Sequence, residues 1–463
     1  MNVLLLHPST FRKNYGEYAA AGGKSQPLGI CYIAAVLEKN KIEVEILDAD
    51  ILNLTYEQSK EQILEKNPSI LMISILTFTY DDMVKLANEI KNLNKSITII
   101  VGGPHLATHP ETTMRNDCFD YGLVGEAEYS SLELAQKILQ GEDPKDVRGI
   151  IYCRDGEITS TEKRDLIQDL DELPMPAFHL LPPMELYRPQ IHSYRYSPVA
   201  TMVTSRGCPY QCIFCDQGVF GKKFRYMSGK NIANQMAIIQ EKYGIREIMF
   251  FDDVFTINKQ RVHEMCDEIQ RRGLKIAWSC SSRADHLDKG LLIKMKEAGC
   301  WMIGMGIESG NQQILNFIKK KITLEKIEET VGIAHEVGIK VRGFFQIGHP
   351  TETEKTIEDT IVFANSLPLY AADFLISTPF KGTELYDIAE QYGSFDSSSS
   401  TNFSKMFPAF TPKGMTQEYL LKKQKQLHRR FYLRPKKVLE YLLLIRTLGD
   451  VKRYFCGAKI LLH

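Results

Sequence analysis

Apolar and polar residues alternate in a regular way along the first 145 residues. Short apolar runs that end at turn-forming residues predict strands, and the stretches between them carry apolar residues at helical spacing. The predicted strands are Asn2–Leu6, Val44–Leu47, Ile70–Ile75, Thr98–Val101 and Tyr121–Val124. The predicted helices are Leu28–Lys39, Tyr56–Lys66, Asp81–Asn92 and Tyr129–Leu139. This alternation predicts an α/β domain with a doubly wound parallel sheet, whose ligands bind beyond the carboxyl ends of the strands.

The same alternation returns between residues 199 and 395. The predicted strands are Val199–Thr204, Glu247–Phe251, Lys275–Ser279, Met302–Ile307, Lys340–Gln346 and Phe374–Ser377. The predicted helices are Gly229–Tyr243, Lys259–Arg272, Asp288–Ala298, Leu324–Val337 and Thr353–Ser366. Six right-handed βα units make a partial (β/α)6 TIM-type barrel, with its ligand site at the carboxyl ends of the strands.

Two further segments differ from these domains in pattern. An alternating stretch that turns at Asp155-Gly156 predicts a small hairpin, and the prolines that follow exclude a continuous helix or central strand. We therefore divide the chain into a first domain at 1–145, a hairpin and Pro-rich linker at 146–198, the barrel at 199–395, and a loop with a basic helical C-terminal region at 396–463.

Composition limits the class of protein. A chain of 463 residues with 44% hydrophobic content can bury sizeable cores, and its formal net charge of zero gives no reason to expect a nucleic-acid partner. The ten cysteines are scattered apart from one cluster, which indicates reduced thiols rather than a disulfide framework. With no leader and no membrane-spanning segment predicted, we expect a cytoplasmic protein.

The cluster of cysteines is the strongest chemical signal in the chain. Cys208, Cys212 and Cys215 follow the first barrel strand directly, and no fourth Cys or His stands at zinc-site spacing. Three thiolates favour an iron–sulfur cluster with one open iron, and Phe214 can shield one side of a cofactor there. Core or zinc-binding cysteines remain the alternative.

The string Cys-x-x-x-Cys-x-aromatic-Cys resembles the radical S-adenosylmethionine (radical SAM) superfamily. The resemblance implies that Cys208, Cys212 and Cys215 hold a 4Fe–4S cluster and that S-adenosylmethionine chelates the open iron. Reductive cleavage of S-adenosylmethionine then gives a 5′-deoxyadenosyl radical. An electron donor such as a flavodoxin or a ferredoxin is implied as a partner.

Polar residues and glycines stand at the ends of the next predicted strands. Asp252 and Asp253 follow the second strand, where a solvated turn is the alternative to a role in binding. By resemblance this loop meets the amino group of the methionine moiety, and a carboxylate suits an ammonium group. Ser281 and Arg283 follow the third strand, where a guanidinium can pair with the methionine carboxylate and hydroxyls can reach the ribose. A structural ion pair between Arg283 and Asp285 or Asp253 is the competing interpretation.

The fourth and fifth strands end in glycine-rich strings. Gly304, Gly306 and Glu308 resemble the segment that admits the cofactor, with Glu308 on the ribose hydroxyls or the amino acid moiety. Gly343 and Gly348 resemble the strand that flanks the adenine. We therefore expect all of these loops to open on one barrel mouth together with the cluster.

Motifs of the first domain resemble those of cobalamin-binding radical SAM proteins. They are Gly102, Gly103, Pro104 and His105 after one strand and Glu126 after the next. The resemblance implies a flavodoxin-like (Rossmann-like) fold that holds a corrinoid. The Asp-x-His-x-x-Gly string that supplies a lower axial histidine is absent, so we expect no histidine on cobalt. A degenerate domain that binds no cobalamin is the alternative.

These resemblances imply an enzyme that uses a 4Fe–4S cluster, S-adenosylmethionine and cobalamin. Methylation of an unactivated carbon is the leading expectation, and oxidative cyclisation or rearrangement is the second. A non-catalytic iron–sulfur or zinc sensor or scaffold is the alternative of another class. We expect a small-molecule or lipid-like substrate. The basic C-terminal region offers either a solvated helical face or a peripheral membrane contact.

Overall fold

The computed structural model describes residues 2–9, 23–190, 192–395 and 409–443. These residues form two compact units. The first contains residues 2–9, 24–187 and 217–226, and the second contains residue 23 and residues 188–190, 192–216, 227–395 and 409–443. The hairpin and most of the Pro-rich segment, which we placed in a linker, thus belong to the first unit, and the chain returns to that unit after the cysteine cluster.

A seven-stranded sheet forms the centre of the first unit. Its strands are β1 (Val3–His7), β2 (Val44–Asp48), β3 (Ile70–Ser74), β4 (Thr98–Gly102), β5 (Tyr121–Leu123), β6 (Ile150–Arg154) and β7 (Glu157–Ser160). The order is β2-β1-β3-β4-β5-β6-β7. β1 to β5 are parallel, whereas β6 and β7 are the predicted hairpin, added antiparallel at the edge next to β5. The chain order reverses between β1 and β3, which is the topological switch point of a doubly wound sheet.

Helices cover both faces of this sheet. They are α1 (Leu28–Lys39), α2 (Tyr56–Lys66), α3 (Tyr80–Leu93), α4 (Pro104–Thr108), α5 (Pro110–Met114) and α6 (Glu128–Gln140). Leu4 and Leu6 of β1 belong to one hydrophobic cluster, and Val3 and Leu5 belong to the other. A strand buried on both faces has a continuous apolar sequence, and this explains why the apolar runs predicted the parallel strands so closely.

A six-stranded parallel sheet in chain order forms the second unit. Its strands are β8 (Val199–Met202), β9 (Glu247–Phe250), β10 (Ala277–Ser282), β11 (Cys300–Glu308), β12 (Lys340–Ile347) and β13 (Ala371–Ile376). The helices of the βα units are α7 (Gly229–Tyr243), α8 (Lys259–Arg272), α9 (Lys289–Glu297), α10 (Gln312–Phe317), α11 (Leu324–Val337), α12 (Glu354–Ser366) and α13 (Glu384–Tyr392). The predicted partial (β/α)6 barrel is therefore confirmed. β10 lies further along the chain than predicted, because it continues through serines that an apolar pattern does not count as strand.

The C-terminal helices α14 (Gln417–Tyr432) and α15 (Pro435–Leu442) follow a short hairpin, β14 (Gly393–Phe395) and β15 (Phe410–Pro412). α14 satisfies the outer backbone edge of β13. Gln424 Nε2 donates to Phe374 O at 2.8 Å, Phe374 N donates to His428 Nε2 at 3.3 Å, and Ala372 N donates to Tyr432 Oη at 3.1 Å. The predicted helical C-terminal segment is confirmed, and its inner face covers a sheet edge that would otherwise stay unpaired.

No helix in the described ranges is long and apolar enough to cross a membrane. Part of the predicted tail loop, with Phe403, Met406 and Phe407, lies outside the described residues.

Candidate active site and cofactor loops

The cysteine loop leaves β8 and is fixed by backbone hydrogen bonds. Ile213 N donates to Ile318 O at 3.2 Å, and Ile213 O accepts from Leu385 N at 2.8 Å. Cys208, Cys212 and Cys215 form no disulfide bonds, and their exposure rises in that order. Burial raises the pKa of all three, and that of Cys215 reaches about 12. Without a bound metal these thiols stay protonated, and iron ligation would deprotonate them.

The donor set fits a cubane cluster better than a single metal ion. Within the described part of the chain, no three His, Cys, Asp or Glu side chains converge as ligands of one metal ion. A cubane places each thiolate on a different iron, so its three cysteines need not meet at one point. The thiols lie close enough together that the charge of Cys212 raises the pKa of both Cys208 and Cys215, after the larger effect of burial. Three neighbouring thiols, with no fourth ligand beside them in the described ranges, thus fit a 4Fe–4S cluster with one open iron.

Asp252 is held by hydrogen bonds and an ion pair within its own unit. It is buried, and its carboxylate accepts from Thr204 N and Thr204 Oγ1 at 2.6 Å each and from Arg261 at 2.9 Å. It also accepts from Ser205 Oγ at 2.6 Å. These contacts use both carboxylate oxygens and tie the end of β9 to the chain that enters the cysteine loop. Asp252 therefore shapes the loop rather than meeting a ligand.

Asp253 is the carboxylate that faces the cysteines. Its side chain is exposed, and its negative charge raises the pKa of Cys208 and Cys215 in addition to burial. Desolvation, followed by the charge of Asp252, raises the pKa of Asp253 itself. Of the two predicted aspartates, Asp253 is thus the exposed carboxylate beside the cysteines.

Arg283 forms the structural ion pair that stood as the competing interpretation. Its guanidinium donates to both oxygens of Asp285 at 3.0 and 2.9 Å and to Lys320 O at 2.9 Å. It also lies over the ring of Tyr210 in the cysteine loop, with 3.7 Å between the guanidinium carbon and the ring centroid. Arg283 thus holds the cysteine loop through its contact with Tyr210. Ser281, two residues earlier, lies beside Gly304 of β11 in the paired register.

Glu308 takes part in a buried ion pair that the sequence did not reveal. Its Oε1 lies 2.8 Å from Lys320 Nζ, and its Oε2 accepts from Gln346 Nε2 at 3.1 Å. A Cβ on Gly306 would lie 2.5 Å from Glu308 Oε1 and 2.9 Å from Lys320 Nζ, so the pair occupies the space over this glycine. Glu308 also adopts a positive φ of 70°, a strained conformation of the kind found at ligand sites.

The Glu308–Lys320 pair lies next to the cysteine loop. Burial has the largest effect on the pKa of Cys212 and raises it. The charge of Lys320 lowers this pKa and the charge of Glu308 raises it, each by less than burial does. Asp253 therefore lies beside Cys208 and Cys215, and the Glu308–Lys320 pair lies beside Cys212, so the two sets of charges border the cysteine loop from two different strand ends. The ends of β9 and β11 thus lie beside the loop that follows β8.

Gly343 lies within β12 and Gly348 directly follows it, and both glycines serve the fold. A Cβ on Gly343 would meet Phe345, Ile307 and Leu369 at 2.9 to 3.1 Å, so this glycine makes room for packing rather than for a cofactor. Gly348 has a positive φ of 82° and turns the chain at the strand end. Gly304 lies on the neighbouring strand β11, where a Cβ would lie 2.9 Å from the ring of Phe344.

The turn after β12 contains two buried ionisable residues that sequence reasoning missed. Neither ring nitrogen of His349 has a hydrogen-bond partner among the described residues, and burial lowers the pKa of its imidazole to about 4. Its ring centroid lies 6.0 Å from that of Phe214 in the cysteine loop. Glu352 accepts from His349 N at 3.0 Å, and burial raises the pKa of its carboxyl to about 8.

The predicted cobalamin residues of the first unit divide into two groups. Gly103 has a positive φ of 100°, and a Cβ there would lie 2.8 Å from Ile75 O. Gly102 and Pro104 flank this turn, and His105 stacks between Tyr80 and His109 with centroids 4.2 and 4.7 Å away. These residues build the carboxyl edge of β3 and β4, where a ligand of the sheet would bind.

Glu126 does not belong to that edge as a free carboxylate. It forms a buried ion pair with Arg225, whose Nη1 lies 2.7 and 2.9 Å from its two oxygens, and it accepts from Ile167 N at 2.7 Å. Glu126 therefore anchors the segment 217–226 within the first unit, and its predicted role in cobalamin binding stays a prediction.

Residues 202–364 match the radical SAM superfamily model, and residues 18–135 match the B12 binding domain model. An uncharacterized methyltransferase of Pyrococcus horikoshii is 34% identical over 442 residues, which cover 95% of this chain and 94% of that protein. The anaerobic magnesium-protoporphyrin IX monomethyl ester cyclase of Rubrivivax gelatinosus is 25% identical, covering 95% of this chain and 79% of that protein. Among solved structures, the radical S-adenosylmethionine methyltransferase TsrM from Kitasatospora setae, with cobalamin and a [4Fe-4S] cluster bound, has a TM-score of 0.71 at 17% identity, covering 94% of this chain and 90% of that one.

A doubly wound domain followed by a partial barrel with a three-cysteine loop defines a radical SAM enzyme with an N-terminal corrinoid domain. The chain belongs to the cobalamin-binding radical SAM proteins. Its cofactors are a 4Fe–4S cluster, S-adenosylmethionine and cobalamin. The expectation of an enzyme is thereby confirmed.

Proposed function

We propose that this enzyme transfers a methyl group to an unactivated carbon of a small-molecule substrate. The observation that carries the proposal is that charged groups from two strand ends border the cysteine loop, with Asp253 beside Cys208 and Cys215 and the Glu308–Lys320 pair beside Cys212. A corrinoid domain in the same chain adds a methyl carrier to this radical site. Similarity to a relative named as a methyltransferase over almost the whole of both chains supports this choice.

Each part of the site has a distinct role in the proposal. Bound S-adenosylmethionine supplies a radical that removes hydrogen from carbon, and cobalamin supplies the methyl group. Asp253 pairs with the ammonium group of the methionine moiety, and Lys320 lies close enough to Cys212 to stabilise negative charge near the cluster. Arg283 and Asp252 hold the cysteine loop in place through Tyr210 and Thr204. A small acidic electron carrier, such as a flavodoxin or a ferredoxin, is the proposed reductant.

Anaerobic reconstitution tests the radical chemistry. We expect about four irons per chain for a single cubane cluster and reductant-dependent release of 5′-deoxyadenosine. Cys212→Ala should abolish both, whereas Cys153→Ser, which alters a cysteine outside the cluster loop, should change neither. Stoichiometric zinc with intact S-adenosylmethionine would contradict the proposal and favour a binding module.

Isotope labelling separates methyl transfer from cyclisation, the second candidate, which similarity to the Rubrivivax cyclase favours. The reconstituted enzyme is incubated with trideuteromethyl-labelled S-adenosylmethionine and the small-molecule extract of the host cell. Methyl transfer gives a product heavier by one labelled methyl group. A product that instead lacks two hydrogens and carries no label would favour cyclisation.

The C-terminal helices support a further proposal about partners, that α15 contacts an anionic membrane surface. α14 buries Leu420, Leu427 and Phe431 against the barrel, whereas α15 leaves a row of apolar side chains exposed beside Lys436. Leu439, Leu442 and Leu443 each expose more than half of their surface. An apolar face flanked by cations is typical of an interfacial helix.

Vesicle sedimentation tests this contact. The full chain should bind vesicles that contain phosphatidylserine and should not bind vesicles of phosphatidylcholine alone. The double substitution Leu439→Glu and Leu442→Glu should abolish binding. Leu93→Glu, which changes an exposed leucine of the first unit, should leave binding intact. Equal sedimentation of the double variant and the unchanged protein would refute the membrane contact.

A further inference from the structure

The carboxyl ends of β1 and β2 bring a histidine and a carboxylate together. His7 is the last residue of β1, Asp48 is the last residue of β2, and the two are paired in register. His7 Nδ1 lies 2.9 Å from Asp48 Oδ1. Neither residue appeared among the candidate site residues predicted from the sequence.

Asp48 is held rigidly by the protein. It is only 1% exposed, its Oδ2 accepts from Tyr187 Oη at 2.7 Å, and its Oδ1 also accepts from Ile51 N at 3.1 Å. Burial alone would raise the pKa of this carboxyl, but the hydrogen bonds and the contact with His7 bring its pKa below the ordinary value. Asp48 is therefore an ionised acceptor with a fixed orientation.

This pairing determines the tautomer of His7. A carboxylate only accepts hydrogen bonds, so Nδ1 of His7 carries the proton and Nε2 presents a lone pair. In the described part of the chain Nε2 has no hydrogen-bond partner, and 21% of the His7 side chain is exposed. The imidazole is thus oriented by a buried carboxylate and keeps one basic nitrogen available for a ligand.

The position of the pair fits the cofactor of this domain. β1 lies between β2 and β3, and the sheet order reverses between β1 and β3. Ligands of such sheets bind beyond the carboxyl ends of the strands at this switch point. Histidines that bind metals donate their other ring N–H to a carboxylate or carbonyl group, which fixes the ring and raises its basicity. A corrinoid at this edge would therefore meet a histidine already prepared as a metal ligand.

We propose that Nε2 of His7 is the lower-face ligand of cobalt when the corrinoid is bound, and that Asp48 is its positioning residue. This reverses the expectation that no histidine contacts cobalt. That expectation depended on the absence of a local Asp-x-His string, whereas the sheet here supplies the same two groups from neighbouring strands. The proposal depends on cobalamin binding but not on the outcome of the reaction.

Electron paramagnetic resonance of the reduced corrinoid tests the ligand directly. The full chain is loaded with cobinamide, a corrinoid without the nucleotide base, and reduced to the cobalt(II) state. Coordination by His7 splits each cobalt line into a nitrogen triplet, and protein labelled with 15N-histidine gives doublets instead. Bound cobinamide without nitrogen splitting would overturn the proposal and leave the proposed function standing.

Substitutions assign the nitrogen to one histidine. His7→Ala should remove the triplet, and His179→Ala should keep it, since His179 forms a similar pair with Glu38 on an exposed surface. Asp48→Asn should weaken cobinamide binding about 10- to 100-fold, in the range of lost outer-shell partners. Should His7→Ala fold poorly, His7→Gln provides the same test. A triplet that persists in the His7 variants would overturn the proposal, and a chain that retains neither cobinamide nor hydroxocobalamin would overturn both the proposal and the cofactor assignment.

Discussion

Replacing Lys320 with methionine isolates the buried ion pair at the barrel mouth. The substitution keeps most of the side-chain volume and removes the charge that faces Glu308 at 2.8 Å. Glu308 then stays buried with Gln346 Nε2 as its remaining hydrogen-bond donor. Removing one partner of a buried pair costs about 3–5 kcal/mol, because the other charge is left uncompensated. We therefore expect Lys320→Met to lower the free energy of unfolding by about that amount at pH 8.

Tryptophan fluorescence during urea unfolding measures the stability of the second unit, which contains Lys320. The chain has 2 tryptophans, Trp278 and Trp301, and both lie in the second unit.

Two variants serve as controls for this experiment. Lys319→Met breaks the neighbouring pair with Glu384, in which both side chains are about half exposed, and should cost less than about 1 kcal/mol. Adding Glu308→Gln to Lys320→Met should recover most of the loss, since no buried charge remains. A Lys320 variant as stable as the Lys319 variant, or a double variant no more stable than Lys320→Met alone, would refute the reasoning.

Three further outcomes follow from the site. Asp252→Ala should destabilise the second unit by about 3 kcal/mol or more, because it leaves Arg261 buried without its carboxylate, and urea unfolding measures this loss. Asp253→Ala should keep stability within about 0.5 kcal/mol but weaken the binding of S-adenosylmethionine, which equilibrium dialysis measures. The pKa of Glu352 in the folded protein, about 8, lies above the ordinary value of 4.5. Its stabilising contribution is therefore complete below pH 4.5 and is lost as the pH rises to 8. Glu352→Gln should flatten the plot of unfolding free energy against pH over that range. Arg225→Met should leave Glu126 buried without the Arg225 guanidinium and destabilise the first unit by about 3–5 kcal/mol. Hydrogen exchange in that unit would detect the loss, and exchange rates equal to those of the unchanged protein would contradict a structural role.

The fold could be predicted closely because its strands are buried on both faces. The predicted helices at Gly229–Tyr243, Lys259–Arg272 and Leu324–Val337 agree with the observed ones at both ends. The largest differences arose where the local pattern was misleading. β10 contains interior serines, and β13 begins with two alanines, and neither residue type marks a strand by hydrophobicity.

The candidate site was predicted less evenly. The spacing of Cys208, Cys212 and Cys215 within one loop indicated a shared role, and the ends of the predicted strands indicated which loops to compare with it. The assignment of individual side chains often differed. Asp252 and Glu126 have the residue type of a ligand contact, but their carboxylates are used by Arg261 and Arg225 from distant parts of the chain.

Hydrophobic pattern and residue spacing were enough to predict the order of elements, the division into two α/β parts and a loop of three neighbouring thiols. These depend on periodicity and spacing within short windows, which hydrophobic burial and backbone geometry translate directly into local structure. Only the tertiary structure decided which polar groups meet, because partners such as Glu308 with Lys320, or His7 with Asp48, lie on different elements and leave no local signal. In a low-dielectric interior each such charge needs a partner, and the three-dimensional packing alone determines which carboxylates remain for ligands.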